Sequence, residues 1–297
     1  MDERDWDILL TVHQEKSVSR AAQKLFVSQP ALSYRLQSIE KQLNIKIFVK
    51  GKRNISFTEE GELLVEYARK MKIKHQQLID RLKDIKNTTS GELRLGVSSN
   101  FADFELPELL KNFHDLYPDI QLKVSTAWST NVFKSLRNEE IHIGIVRGNY
   151  DWEESRILMK EDKVCIVSKY PISIPDLPKL PSIRHLSGPD TTLIVEKWWN
   201  KYFTESPNVS MEVGNLETCK KLVMQGLGYG ILPMYCLKES DLKQRLYTYP
   251  LTMSDGQPIL RKLWTFYREE DTNLSVVKAF VDFIQETYSI KEMIETN

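Results

Sequence analysis

Residues 17–43 read SVSRAAQKLFVSQPALSYRLQSIEKQL, and this stretch decides the fold of the N-terminal region. Ser17 and Ser28 each precede apolar residues at helical spacing, and a serine hydroxyl is a preferred cap for a helix start. Pro30 suits the first turn of the second helix because its missing N–H has no intrahelical partner to lose there. Phe26-Val27 interrupts the pattern between them. The stretch therefore predicts two short helices joined by a tight turn, which is a helix-turn-helix.

The second helix of this stretch has two different faces on a wheel of about 100° per residue. One face predicts a buried stripe made of Leu32, Leu36, Ile39 and Leu43. The other face has hydrogen-bonding groups and almost no acid. Ser33, Tyr34 and Gln37 suit base edges in a major groove, and the flanking Arg35 suits a phosphate.

The segment after this helix predicts a wing. Residues 45–49 and 55–57 are rich in β-forming side chains, and the sequence Lys50-Gly51-Lys52-Arg53-Asn54 separates them as a basic turn. The pattern indicates a two-stranded hairpin whose tip, with Lys52 and Arg53, lies along a phosphate backbone or enters the minor groove.

Charge is distributed unevenly along a chain whose net charge is zero. Residues 16–53 contain nine Lys or Arg and one acidic residue, a net charge of +8, whereas residues 91–297 have a net charge of −5. A basic module at one end of a mildly acidic chain is typical of a protein that touches a phosphate backbone with that end alone. A solvated basic face is the alternative that charge by itself leaves open.

Composition and motifs exclude several other classes. With 41% hydrophobic residues the chain is not a disordered one, no apolar run reaches the roughly 18 residues of a membrane span, and the charged start excludes a signal peptide. The three cysteines have no metal-site or disulfide spacing, so we expect a cytoplasmic protein with structural thiols.

Enzyme signatures are missing from the sequence. It has no Walker loop, no Gly-x-Gly-x-x-Gly after a strand, no Gly-x-Ser-x-Gly and no His-Glu-x-x-His. The histidines are too scattered to indicate a catalytic triad or a zinc site: His13, His75, His114, His142 and His185. We predict a protein that is not an enzyme and that uses neither a cofactor nor a metal.

Residues 59–90 predict a long connecting helix and a polar hinge. Thr58 can cap the helix, and acidic residues fill its first turn, near the positive end of the helix dipole. Apolar residues then recur at steps of three or four, interrupted near His75: Leu64, Tyr67, Met71, Leu78, Leu82 and Ile85. This pattern favours a dimer seam, which would double the DNA-reading helix to match a palindromic site; packing on the chain's own domain is the alternative.

Residues 91–297 alternate strands with helices, a pattern typical of a parallel sheet with right-handed crossovers. A first lobe is expected at about 91–162 and 267–297, and a second at about 163–266, with strands crossing between them. Ligands of such sheets gather at the carboxyl ends of strands, where helix N-termini offer free N–H groups to anions.

Hydroxyls and guanidinium groups cluster at those strand ends. We predict effector contacts from Ser98, Ser99, Ser129, Thr130, Arg147 and Arg261. Such groups suit a carboxylate. Helix capping by the hydroxyl residues, and ion pairs between either arginine and acids of the same lobe, are the alternatives.

The N-terminal motifs resemble those of LysR-type transcriptional regulators. The resemblance rests on an ordered set: Ala21-Ala22, Leu25, Ser28-Gln29-Pro30-Ala31-Leu32-Ser33, Ile39-Glu40, Leu43, Phe48 and Thr58-Glu59-Glu60-Gly61. It implies an α/β chain in which a winged helix-turn-helix, a long linker helix and a two-lobed effector domain like a periplasmic binding protein follow one another. The DNA contacts expected from residues and resemblance together are Ser28, Gln29, Pro30, Ser33, Tyr34, Arg35, Gln37, Lys52 and Arg53.

Within that family, several stretches are similar to the citrate-responsive catabolite control proteins C and E. They include residues 129–136, 141–149, 217–220 and 228–233. The similarity implies citrate or another small polycarboxylate as effector and genes of central carbon metabolism as targets. The family implies double-stranded operator DNA as partner, a homodimer through the linker helix, a homotetramer and contact with RNA polymerase.

The domain boundaries predicted from the sequence are 1–58 for the DNA-binding domain, 59–90 for the linker helix and hinge, and 91–297 for the effector-binding domain. The rival hypothesis is a solute-binding or sensor module that regulates no DNA. Whether the protein activates or represses does not follow from the sequence.

Overall fold

The computed structural model describes residues 1–50, 55–84, 90–237, 241 and 246–295. The chain forms two compact units, Met1–Lys86 and Asn87–Asn297. Three parts of the sequence predictions fall outside the described residues: the wing contacts Lys52 and Arg53, the end of the proposed seam at Ile85, and hinge residues 87–89.

The first unit begins with three helices, followed by a hairpin and a long helix. Its elements are α1 (Glu3–Glu15), α2 (Val18–Lys24), α3 (Gln29–Leu43), β1 (Phe48–Lys50), β2 (Ile55–Phe57) and α4 (Glu59–Asp84). Both predicted serine caps are present, because Ser17 Oγ accepts a hydrogen bond from Arg20 N and Ser28 Oγ accepts one from Ala31 N. Antiparallel pairing of β1 with β2 forms the expected wing.

The core of the first unit explains where these helices pack. The buried residues of this core are Leu9, Val12, Ala21, Ala22, Leu32, Leu36, Ile39, Ile47, Leu64 and Ala68. The predicted stripe of α3 is therefore correct for three of its members, but Leu43 is 40% exposed because α3 ends there. Leu64 packs in this core and not on a seam, whereas Leu78 and Leu82 farther along α4 are half exposed.

The described part of the second unit contains a seven-stranded sheet whose strands run in both directions and a separate two-stranded parallel sheet formed by residues 182–185 and 209–213. Its strands are β3 (Gly91–Ser98), β4 (Ile120–Ala127), β5 (Ile143–Arg147), β6 (Ser155–Ser168), β7 (Ser182–His185), β8 (Val209–Val213), β9 (Gly230–Pro233), β10 (Tyr247–Pro250) and β11 (Leu260–Tyr267). Its α-helices are α5 (Ser99–Phe104), α6 (Leu106–Leu116), α7 (Ser129–Arg137), α8 (Pro189–Tyr202), α9 (Leu216–Met224) and α10 (Ser275–Glu295).

Strand pairing joins the two lobes of this unit. β3 is parallel to β4 and β5, as expected, but β11 is antiparallel to both β5 and β6. The long strand β6 pairs with β11 in its first part and with β9 and β10 in its last part, so it runs from one lobe into the other. Because the returning strands run against the others, the sheet is mixed and not purely parallel.

Helices cover both faces of the sheet in each lobe. In the first lobe, α6 and α10 pack on one face around Phe113 and Phe280, and α7 packs on the other around Phe133. In the second lobe, α9 covers one face and α8, with Trp199, the other. These layers hold the strand ends of the two lobes in fixed positions. The lobe boundaries given from the sequence stay a prediction.

Candidate DNA-binding surface and effector cleft

Helix α3 presents the predicted DNA-reading residues on one surface. Ser28, Gln29, Pro30, Tyr34, Arg35 and Gln37 are exposed, and Ser33 is half buried. Tyr34 is the most informative of them, because its side chain is 76% exposed although a tyrosine ring usually gains from burial. The helix thus buries its apolar stripe and leaves its hydroxyl, amide and phenol groups accessible.

Two of these residues also have side-chain partners on other helices of the unit. Ser19 Oγ donates a hydrogen bond to Gln29 Oε1 at 2.9 Å, which orients that amide at the start of α3. Arg35 makes a bidentate pair with Asp5 of α1, with its Nε 2.6 Å from Oδ1 and its Nη2 2.9 Å from Oδ2. Arg35 thus holds α3 against α1, and its side chain remains 44% exposed toward solvent.

Asp5 is the buried half of that pair, at 1% exposure. Burial alone would raise the pKa of Asp5, but hydrogen bonds from Arg35 and from the Asp2 backbone outweigh it and leave the pKa below its ordinary value. A carboxylate with a lowered pKa adds stability above its unfolded-state pKa, and this stability is lost as pH falls through the folded-state pKa.

The predicted effector residues meet in one cleft of the second unit. Ser98, Ser99, Ser129, Thr130, Arg147 and Arg261 all line it, with about 740 Å³ of space including the solvent at its mouth. Ser98 and Arg147 end the neighbouring parallel strands β3 and β5, whose carboxyl ends meet at the same edge of the sheet.

The cleft contains hydrogen-bonding groups that have no partner among the described residues. Ser98 Oγ is buried and has no hydrogen-bond partner among the described residues. Helix α7 starts at Ser129 after Trp128, and no side chain caps it, so its first N–H groups face the cleft beside Thr130. A buried unpaired hydroxyl and an uncapped helix start both favour a ligand that accepts hydrogen bonds.

Arg147 is neutralised by acids of the protein itself. Its guanidinium donates to Glu105 and to Asp162, and it lies 3.7 Å from the centre of the Tyr235 ring. Lys160 Nζ lies 3.5 Å from Glu105 and 3.6 Å from Asp162. Of the two alternatives for Arg147, the structure shows the ion pair with acids, and the side chain still lines the cleft wall.

Arg261 has a different environment. It is 7% exposed, and among the described residues it makes no ion pair with a carboxylate. Its Nη1 donates to Thr191 Oγ1, and its Nη2 donates to the carbonyl oxygen of Arg147 at 3.3 Å. Burial is the main reason why the pKa of Arg261 lies below its ordinary value; the charge of Asp190 acts against this shift, and the charge of Arg147 adds to it. This is the buried cation of the cleft whose charge is least compensated.

Three residues that line the cleft were not predicted from the sequence: Tyr150, His185 and Asp190. Asp190, in the first turn of α8, accepts a hydrogen bond from Tyr150 Oη at 3.3 Å. Burial and the charge of Asp190 raise the pKa of Tyr150 to about 12, so the phenol keeps its proton. His185 is neutral because burial lowers its pKa to about 4. The segment Gly188-Pro189-Asp190 after β7 was a signal for this helix start.

The described residues hold neither a cluster of His, Cys, Asp and Glu that fits a metal ion nor a helix long and apolar enough to cross a membrane. Cys165, Cys219 and Cys236 are buried free thiols. Burial raises the pKa of each, to about 11 for Cys165 and about 12 for the other two. Raised pKa values keep the thiols protonated, as expected of packing residues.

A helix-turn-helix followed by a two-lobed cleft defines a DNA-binding regulator with a small-molecule sensing domain. Two family models match these parts: "Bacterial regulatory helix-turn-helix protein, lysR family" at residues 4–62 and "LysR substrate binding domain" at residues 86–289. The chain belongs to the LysR family of DNA-binding transcriptional regulators. That family consists of regulators and not enzymes, its substrate-binding domain takes a small-molecule effector, and its members form oligomers. The rival hypothesis of a sensor without DNA regulation is wrong.

Relatives extend over almost the whole chain. The uncharacterized HTH-type transcriptional regulator YraN of Bacillus subtilis (strain 168) is 42% identical over 285 residues, covering 96% of this chain and 98% of YraN. The uncharacterized HTH-type transcriptional regulator YkuM of the same strain is 32% identical over 288 residues, covering 96% and 97%. The narrower resemblance to catabolite control proteins C and E stays a prediction.

Solved structures share the fold at low sequence identity. Full-length CbnR in complex with its target DNA has a TM-score of 0.67 at 17% identity and covers 96% of this chain and 99% of its own. The full-length AphB N100E variant has a TM-score of 0.65 at 19% identity, covering 96% and 98%. The α/β architecture expected from the sequence, a winged helix-turn-helix with a periplasmic-binding-protein-like domain, is confirmed.

The Asp5–Arg35 pair gives a pH prediction. We expect Asp5→Asn to destabilise the N-terminal unit by about 1–3 kcal/mol at neutral pH, because it weakens hydrogen bonds to a charged group. As pH falls below about 4, the ordinary pKa of an aspartate, the wild type should progressively lose this contribution, whereas the variant has none to lose. Calorimetric unfolding across that pH range measures both effects. Asp7→Asn, which alters an exposed ion pair of the same helix with Lys72, is the matched control; equal pH profiles for wild type and Asp5→Asn would contradict the assignment.

Proposed function

We propose that this regulator senses a small hydroxy-polycarboxylate, with citrate as the first candidate, and that binding of this anion in the cleft changes its hold on operator DNA. The proposal rests chiefly on Arg261, a buried guanidinium without a carboxylate partner among the described residues. A buried charge costs free energy unless an opposite charge or strong hydrogen bonds compensate it. A ligand carboxylate supplies that compensation.

The other groups of the cleft favour the same ligand class. The unpartnered Ser98 Oγ can donate to a carboxylate oxygen, and so can the first N–H groups of α7 at Ser129 and Thr130. Neutral His185 and Tyr150 add no charge. An anion that accepts from all of these donors gains charge-assisted hydrogen bonds, which are about twice as strong as neutral ones.

Asp190 adds a requirement for a donor on the ligand. Its carboxylate faces the cleft near Arg261, and the only hydrogen bond it receives from a described side chain is that of Tyr150. A ligand composed only of carboxylates would meet repulsion there, whereas a hydroxyl group could donate to Asp190. Citrate carries one hydroxyl beside its carboxylates. The resemblance to the citrate-responsive catabolite control proteins, which is itself a prediction from the sequence, leads to the same candidate and to genes of central carbon metabolism as proposed targets.

The response to the ligand requires more than one subunit. We propose a homodimer through the linker helix, where Tyr67, Leu78 and Leu82 leave large apolar surfaces about half exposed, and a homotetramer as the DNA-bound form. A shift of lobe and subunit angles would alter the spacing of two DNA-reading modules on one operator, and contact with RNA polymerase would transmit the result to transcription.

The role of Arg261 is tested by ligand-induced thermal stabilisation. We expect citrate at 100 times its Kd to stabilise the wild type by about 2.7 kcal/mol, and Arg261→Gln to abolish the shift because the carboxylate loses its buried cation. Arg156→Gln removes an exposed arginine that packs on Trp264 of the same unit and should keep the full shift. A full citrate shift in Arg261→Gln would remove this residue from the site, and a wild type that no hydroxy-carboxylate stabilises would contradict the proposed effector class.

The role of Asp190 is tested with an isosteric change. Asp190→Asn keeps a hydrogen-bond acceptor but removes the negative charge that faces the bound anion. We expect citrate to bind at least about threefold more tightly, a modest electrostatic gain at partly solvated distances, while tricarballylate, which lacks the hydroxyl, should gain more. Isothermal titration calorimetry with both ligands measures the two ratios. Weaker binding of tricarballylate to the variant would show that Asp190 does not repel the ligand.

A further inference from the structure

The turn between α2 and α3 has a backbone geometry that suits glycine. Phe26 N donates to Gln23 O at 3.2 Å and Val27 N donates to Ala22 O at 3.0 Å, which is the hydrogen-bond pattern of a Schellman motif. The residue between these bonds, Phe26, has φ +55°. Glycine is the usual residue at this position because a Cβ crowds the left-handed backbone. A phenylalanine therefore strains the turn.

No described contact of the Phe26 side chain offsets this backbone strain. Its side chain is 96% exposed, and it makes no ring, cation–π or hydrogen-bond contact within the part of the chain that the structure describes. Lys16 and Asn44 also have a left-handed backbone in this unit, but each has a feature that explains it. The Lys16 ammonium lies 4.8 Å from the centre of the Phe57 ring, and Asn44 is a residue type that tolerates this backbone. Phe26 is both strained and unpacked, which points to a contact outside the chain.

The surroundings of Phe26 indicate which partner it meets. The ring precedes the exposed Ser28 and Gln29 at the start of the DNA-reading helix, and it lies within residues 16–53, a segment whose net charge is +8. Basic neighbours favour a polyanion and oppose an apolar protein surface. A duplex offers phosphates to those neighbours and apolar groups beside them, namely thymine methyls and deoxyribose rings.

We propose that Phe26 is a DNA contact, in which the ring packs on a thymine methyl or a deoxyribose at the edge of the groove that α3 enters. The side chain adds affinity through apolar contact and shape, and it neutralises no phosphate. The strain in the turn is the stability cost of presenting an aromatic ring at that position. This inference rests on DNA binding by the family and is independent of what fills the cleft.

The test uses the full chain and a duplex that the wild type selects from a randomised 40-base-pair pool. We expect Phe26→Asn and Phe26→Gly to bind this duplex about tenfold more weakly, the effect of losing one good base-edge contact. Their melting temperatures should equal or exceed that of the wild type, because the strain is relieved. The dependence of log K on log[salt] should keep its slope, since no counterion is released by this side chain. Phe26→Trp should retain wild-type affinity.

Controls separate a DNA contact from other roles. Leu116→Ala removes a 63% exposed apolar side chain of the second unit and should leave DNA affinity unchanged. Uracil in place of thymine should weaken wild-type binding if the ring packs on methyl groups, and it should leave binding unchanged if the ring packs on deoxyribose; in both cases the Asn variant should be insensitive. The proposal would be overturned if Phe26→Asn bound DNA with wild-type affinity. It would also be overturned if the loss of DNA affinity came with a lower melting temperature, or with a smaller oligomer measured by light scattering.

Discussion

Two buried guanidinium groups in one cleft are the constraint on which the effector cleft depends. Arg147 and Arg261 are both buried and both line the cleft, and the charge of Arg147 lowers the pKa of Arg261. Such an arrangement is costly unless anions compensate it. Glu105 and Asp162 compensate Arg147, and they come from the start of α6 and from the strand that runs between the lobes. Arg261 has no carboxylate within ion-pair distance among the described residues, and we propose that an anionic effector compensates it.

Because the two acids pair with Arg147 and not with Arg261, we expect the two arginines to have different roles. Removing Arg147 would leave two acids without their main partner, so we expect the loss to fall first on the stability of the strand crossing. Removing Arg261 would break its hydrogen bonds to Thr191 and to the Arg147 carbonyl but would leave no acid without its ion-pair partner, so we expect the loss to fall mainly on ligand binding. The two residues are equivalent in the sequence, since each stands on a strand next to the predicted cleft. Their different roles are set by which acids the fold brings to each of them.

Most of the correct predictions from the sequence came from local motifs, such as helix caps, and from the periodic spacing of apolar residues. The caps at Ser17 and Ser28, the stripe through Leu32, and the convergence of Ser98 with Arg147 follow from short-range rules on helix starts, wheels and strand ends. Contacts distant in sequence could not be predicted. Asp190 reaches Tyr150 from 40 residues away and Arg35 reaches Asp5 from 30 residues away, and no periodicity encodes such pairs. The antiparallel course of β11 was missed for the same reason.

We propose that an anion in the cleft and operator DNA on the N-terminal unit bind as coupled ligands. Thermodynamic linkage requires the coupling to be reciprocal. The most direct measurement is the citrate Kd by titration calorimetry, with the full-length protein free and then saturated with its selected duplex. We expect two different citrate Kd values, whose ratio equals the factor by which saturating citrate changes the DNA Kd. Equal citrate affinity in the free and DNA-bound protein would contradict it.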